Sequence, residues 1–100
     1  MPHFIYKLKL VDQFQKKENW TNETKAIIAE HFNHLMQLKA EKTVLFAGKT
    51  NYDVDHPENE GIVIFEEENA DTAKKIMLND PAIRKGVMTA KLHPFHLAIG

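Results

Sequence analysis

Ile62-Val63-Ile64-Phe65, entered through Gly61 and left through Glu66-Glu67-Glu68, is strand-length and carries no polar side. Successive residues of a strand point to opposite faces, so a run of this kind needs cover on both faces of its sheet. On its N-terminal side, Gly48 to Gly61 is a polar connection holding Asn51, Asp53, Asp55, Pro57 and Asn59, all turn or loop formers, and Thr43 to Ala47 reads as a strand before it. On its C-terminal side, Asn69 is placed to cap a helix through Ala70, Ala73, Ile76, Met77 and Leu78 that ends at Asn79-Asp80-Pro81. Val87 to Ile99 then reads as extended, with Pro94 marking an edge position or a bulge.

The N-terminal half supplies one more strand and the longer helix. Phe4, Tyr6, Leu8 and Leu10 alternate with Ile5, Lys7 and Lys9, the pattern of a half-buried strand. Asp12 to Asn19 is polar and reads as a loop. Thr21 can cap the next helix with Glu23 in its first turn, and helical periodicity runs from Ala26 to about Glu41. The order strand, helix, strand, strand, helix, strand predicts a ferredoxin-like α+β fold, a split βαβ arrangement with an antiparallel sheet and both helices on one face. Two helices cover only one face of such a sheet. The doubly apolar Ile62–Phe65 strand therefore points to a second sheet on the other face, and a homodimer packed sheet to sheet is the simplest source of it.

With 100 residues, the chain fits one domain spanning residues 1–100. Its 43% hydrophobic and 27% charged residues and net charge of -1 are those of an ordinary globular protein. The basic residues are interspersed with acids rather than gathered into a stripe, which argues against a nucleic-acid partner. No run approaches membrane-spanning length and Met1-Pro2-His3-Phe4-Ile5-Tyr6-Lys7 lacks the features of a secretory leader, so the expected location is cytoplasmic, with no membrane partner. Cysteine and serine are both absent, which excludes disulfides, thiolate chemistry and a serine nucleophile, and no glycine-rich phosphate loop is present.

At about 100° per residue, Ile27, Leu38, His31, Thr24, Leu35 and Ile28 share one half of the longer helix, which puts a histidine in the middle of an apolar stripe. A carboxylate partner would make His31 a site; a backbone carbonyl would make it a satisfied core residue. His34, one turn on, stands at the edge of the stripe near Glu30 and reads as solvent-facing rather than as half of a two-histidine metal site. Asp80 follows a helix whose C-terminal dipole disfavours an anion, yet Asp before Pro81 can also cap a new short turn. Asp53, Asp55, His56, Glu58 and Glu60 match no recognised metal-loop spacing and read as a solvated loop. His93 and His96 read as sheet-edge residues, Trp20 as a staple at the helix start, and Tyr6 as a core residue or a pocket wall.

His31-Phe32-Asn33-His34-Leu35, Leu45-Phe46-Ala47-Gly48, Gly61-Ile62-Val63-Ile64, Asp80-Pro81 with Gly86, and His93-Pro94-Phe95 together resemble the YciI-like (YCII-related) family in order and spacing. The resemblance implies a dimeric α+β barrel of ferredoxin-like protomers and a catalytic pair made of His31, rather than His34, with Asp80. The chain departs from that family at Ile28, where many relatives have arginine, at Lys42, where many have a helix-ending glycine, and at Lys49, where proline is common. Two functions are thus expected from different classes. In one, a cofactor-free lyase, isomerase or hydrolase uses a His31–Asp80 dyad, without metal, to move a proton on a small metabolite, cyclic or derived from an aromatic compound. In the other, a non-catalytic small-ligand-binding or accessory dimer keeps the same two residues as a buried structural pair.

Overall fold

Residues 1–100 are described by a computed structural model. The elements are β1 (His3–Leu10), two single 3₁₀ turns (Asp12–Gln15 and Lys17–Asn19), α1 (Asn22–Ala40), β2 (Val44–Lys49), β3 (Gly61–Glu66), α2 (Ala70–Leu78), α3 (Pro81–Arg84) and β4 (Met88–Phe95). The four strands form one antiparallel sheet in the order β2-β3-β1-β4, the ferredoxin-like α+β fold. The stretch expected to be a polar loop after β1 folds instead into the two 3₁₀ turns, whose Phe14, with Trp20 beyond them, packs on Leu10, Ile27 and Val87. The Trp20 indole nitrogen donates to the Phe14 carbonyl at 2.7 Å and closes that unit.

Both long helices begin on a reciprocal cap that needs no glutamate. The backbone N–H of Thr24 donates to the Thr21 hydroxyl at 3.2 Å and that of Thr21 donates back to the Thr24 hydroxyl at 3.2 Å; Asn69 and Thr72 repeat the arrangement at α2. Each cap satisfies donors that the first helical turn leaves without partners. Leu35 and Leu38 of α1 and Ala73 and Met77 of α2 meet Phe4, Tyr6, Leu8, Val44, Val63 and Phe65 in one buried cluster, so both helices lie on one side of the sheet.

Register assigns the opposite side. Phe4 pairs with Phe65 and Tyr6 with Val63 under the helices, whereas Ile5 pairs with Ile64 and Lys7 with Ile62 on the face that no helix covers. A bulge between Val44 and Phe46 sends these two β2 residues to different faces, so Phe46, 51% exposed, joins Ile64 on the open side. Pro94 lies in β4, an edge strand, where its missing N–H leaves no ladder bond unmade.

The connection after β2 is not a featureless solvated loop. The Thr50 hydroxyl donates to the Glu58 carbonyl at 2.8 Å and accepts from the Glu60 N–H at 3.0 Å, and the Tyr52 and His56 rings stack at 3.9 Å. Val54 tucks against the Leu10, Ile27 and Val87 cluster. The loop thereby closes the end of the molecule where β1 finishes and α1 begins.

Candidate active site

Asp80 is placed by the break between two helices. The α2 helix stops at Leu78, Pro81 opens α3, and Asp80 between them is the α3 cap, accepting from the Ala82 N–H at 3.0 Å through Oδ1. Proline suits this position because its fixed φ starts a helix and its missing N–H would have had no partner. The capping role anticipated for Asp80 is therefore present, and it consumes only part of the carboxylate.

The rest is taken by two residues distant in sequence. The His31 ring meets Asp80 through Nδ1, 2.7 Å from Oδ1 and 2.9 Å from Oδ2. The Tyr6 hydroxyl donates to Oδ2 at 2.7 Å. Asp80 is fully buried, Tyr6 is likewise 0% exposed and His31 is 5% exposed, so the cluster sits between α1, α3 and the middle of β1. Burial alone would raise the Asp80 carboxyl; the hydrogen bond and charge of His31, with the Tyr6 hydroxyl and the Ala82 N–H, outweigh it and hold the carboxyl below its ordinary range. Burial, then the Asp80 charge and the hydrogen bond to it, push the Tyr6 phenol far above its ordinary range and keep it neutral.

An ionised carboxylate can only accept, so the proton between the two residues belongs to His31 Nδ1. In the neutral imidazole this leaves the lone pair on Nε2, the tautomer in which that nitrogen can take a proton. Nε2 has no protein partner and is not among the polar atoms sealed from solvent. The arrangement can hold a proton on Nδ1, release or accept one at Nε2, and stabilise the imidazolium formed in between.

His34 does not follow the solvent-facing expectation. It is half-buried, and its Nε2 is enclosed without a hydrogen-bond partner. The structure does not bring it to Asp80. His93 and His96 are exposed, and the structure assembles no group of three or more His, Asp or Glu side chains with the geometry to hold a metal. Tyr6 was legible as a core residue, but not as a member of this cluster. The one signal was a phenol on a strand face otherwise made of Phe4, Leu8 and Leu10, since a buried hydroxyl needs an acceptor. Two surface concavities lie elsewhere, lined by Lys9, Thr50, Tyr52 and Glu58 and by Lys7, Lys91 and Thr89, and neither includes His31 or Asp80.

Fold and site together define an antiparallel α+β protein with a buried histidine–carboxylate pair on its helical side. The family model of the YCII-related domain matches residues 10–95, and the chain belongs to that family. Among solved structures, it is similar to 5-chloro-2-hydroxyhydroquinone dehydrochlorinase (TftG) from Burkholderia phenoliruptrix AC1100, in a complex with 2,5-dihydroxybenzoquinone. The TM-score is 0.68 over 94% of this chain and 93% of that chain, at 19% sequence identity. No curated protein matches the chain.

Proposed function

We propose that this chain is a cofactor-free acid–base enzyme acting on a small oxygenated ring compound, with His31 as the proton carrier and Asp80 as the residue that orients it. One observation carries the reading. A buried carboxylate engages Nδ1 and leaves Nε2 without a protein partner, the division of labour expected of a histidine base. Nε2 would remove a proton from a ring hydroxyl or an activated C–H. The electron pair left behind would expel a leaving anion from the ring or collect a proton at another ring atom. Proton and leaving anion together account for everything lost in an elimination, so no oxidant is needed. The similarity in fold to a hydroquinone dehydrochlorinase supports an aromatic substrate class. Ile28, in place of the arginine common in relatives, packs on the Leu10, Ile27 and Val87 cluster and offers no charge to an anionic substrate. The substrate would therefore be bound chiefly by shape and hydrogen bonds.

A panel of chlorinated and unchlorinated hydroxyhydroquinones, followed by quinone absorbance and halide release, tests this. His31→Gln is expected to lower kcat on any accepted compound by about 100-fold to 10,000-fold, with a smaller loss for Asp80→Asn. A compound turned over equally by the wild type and His31→Gln would remove the proposal.

The second reading, a ligand-binding or accessory domain with a structural pair, is favoured by one observation, the 5% exposure of His31. Solvent access separates the two. A ring that changes charge with bulk pH near neutrality belongs to the enzyme, and an occluded ring that never titrates belongs to the binding domain.

A further inference from the structure

We propose that Tyr6 is a positioning residue that sets how readily His31 takes up a proton, by sharing the negative charge of Asp80. This rests on the reading of His31 as the proton carrier. The Tyr6 ring is held edge-on against Phe65, with centroids 5.7 Å apart at 68°, and is wholly buried, so its hydroxyl is aimed rather than free to turn to water. Its 2.7 Å contact with Oδ2 has the length of a hydrogen bond to an ionised oxygen. Ala82 N–H serves Oδ1 in the same way, so each carboxylate oxygen has a donor of its own while His31 Nδ1 lies between both. Satisfaction of a capping aspartate does not require this. Ala82 alone completes the α3 cap, and a phenylalanine would fill the same core position.

A carboxylate with two extra donors is a weaker base than one with none. It holds the imidazolium less tightly, which lets His31 lose its proton at lower pH and present a free Nε2 lone pair. Few other groups near His31 can imitate the effect. On α1, His34 stands one turn away and Glu30 is paired with Lys85, just beyond α3, at 2.8 Å; Arg84 of α3 and Lys74 and Lys75 of α2 are exposed. From the sheet, Val44, Val63, Phe65, Ala90 and Leu92 carry no titratable group, which leaves Tyr6.

The test reads the His31 ring directly by nitrogen and carbon NMR over a pH series, with the signal assigned by its loss in His31→Gln. In Tyr6→Phe the His31 titration midpoint is expected to rise by about half to one pH unit. A second arm keeps the ring and strengthens the donor: 3-fluorotyrosine is incorporated in a Tyr52→Phe background, so that Tyr6 alone is labelled. There the midpoint is expected to fall. The opposite signs cannot come from a change in packing, and the second arm decides the matter if Tyr6→Phe does not fold. A midpoint unmoved in the arms that fold, or moved in the reverse sense, overturns the role of Tyr6, as does a His31 that never titrates between about pH 4 and 9. The two proposals fail separately. Midpoints that shift as expected beside full turnover by His31→Gln retire the acid–base function and keep the coupling; unmoved midpoints beside an inactive His31→Gln do the reverse.

Discussion

Asp80 has three donors on one buried carboxylate: His31 Nδ1, the Tyr6 hydroxyl and the Ala82 N–H. Removing it strands all three at once. Asp80→Ala is expected to destabilise the fold by about 3 to 5 kcal/mol, since each buried donor left without an acceptor costs about 1 to 3 kcal/mol, as read by urea unfolding near neutral pH. The two shifted groups also bound the pH range. Because the Asp80 carboxyl lies below its unfolded value, its contribution is present above about pH 4 and is lost as pH falls through the folded value. The Tyr6 phenol lies above its unfolded value, so its contribution is complete below about pH 10 and declines as pH rises, because unfolding then releases a proton that the native state retains. The stability difference between wild type and Tyr6→Phe is therefore expected to shrink above about pH 10, by up to about 1.4 kcal/mol per pH unit, in chemical denaturation series. His31 was conspicuous in the sequence because it interrupts an apolar helical stripe, and Asp80 because it follows a helix end. Their partnership was supplied by family resemblance, not by spacing, since 49 positions separate them and no local rule links them. Tyr6, 74 positions from Asp80, left only the trace of one hydroxyl among apolar neighbours.

Element starts were more legible than element ends. Thr21 and Asn69 were identified as caps, and they are, because capping depends on side chains within three residues of each other. The partners differ in kind: Thr24 and Thr72, each three residues on, supply the hydroxyls that complete both boxes. At its other end α1 passes through Glu41 to Lys42, which takes a left-handed φ of 66°. That is the position where many relatives carry glycine, and a side chain there costs about 1 kcal/mol against glycine. Lys42→Gly is expected to raise stability by about that amount without altering the His31–Asp80 contact, as a shift in the unfolding midpoint at unchanged m-value. The β2 bulge was not legible. Val44 and Phe46 are two residues apart and should share a face by alternation, but the extra residue between them turns Phe46 to the open side, a displacement set by pairing with β3.

At the scale of the molecule, the open face is a surface of mixed character. Phe46 is exposed there, Ile5 and Ile62 are half-buried, Ile64 between them is already buried, and Lys7 stands directly across from Lys91. The apolar residues favour a cover, while the two lysines, which repel one another across the strands, are better left at its solvated margin. We propose that a second copy of the chain provides it. Light scattering after gel filtration is expected to give twice the chain mass for wild type and the mass of one chain for Phe46→Lys, at a residue that is 51% exposed in the single chain, so that the helical side should keep its secondary structure; a wild-type monomer at micromolar concentration sets the proposal aside. From the sequence alone came the order of strands and helices, the buried face of β1, both helix caps and the need for cover on two sides of β3, since each follows from residues within a few positions of one another. The tertiary structure decided the β2 bulge, the built loop after it, the burial of His34 and the meeting of His31, Tyr6 and Asp80. Those depend on which distant segments the sheet order brings together, and side-chain periodicity carries no information about a partner tens of residues away.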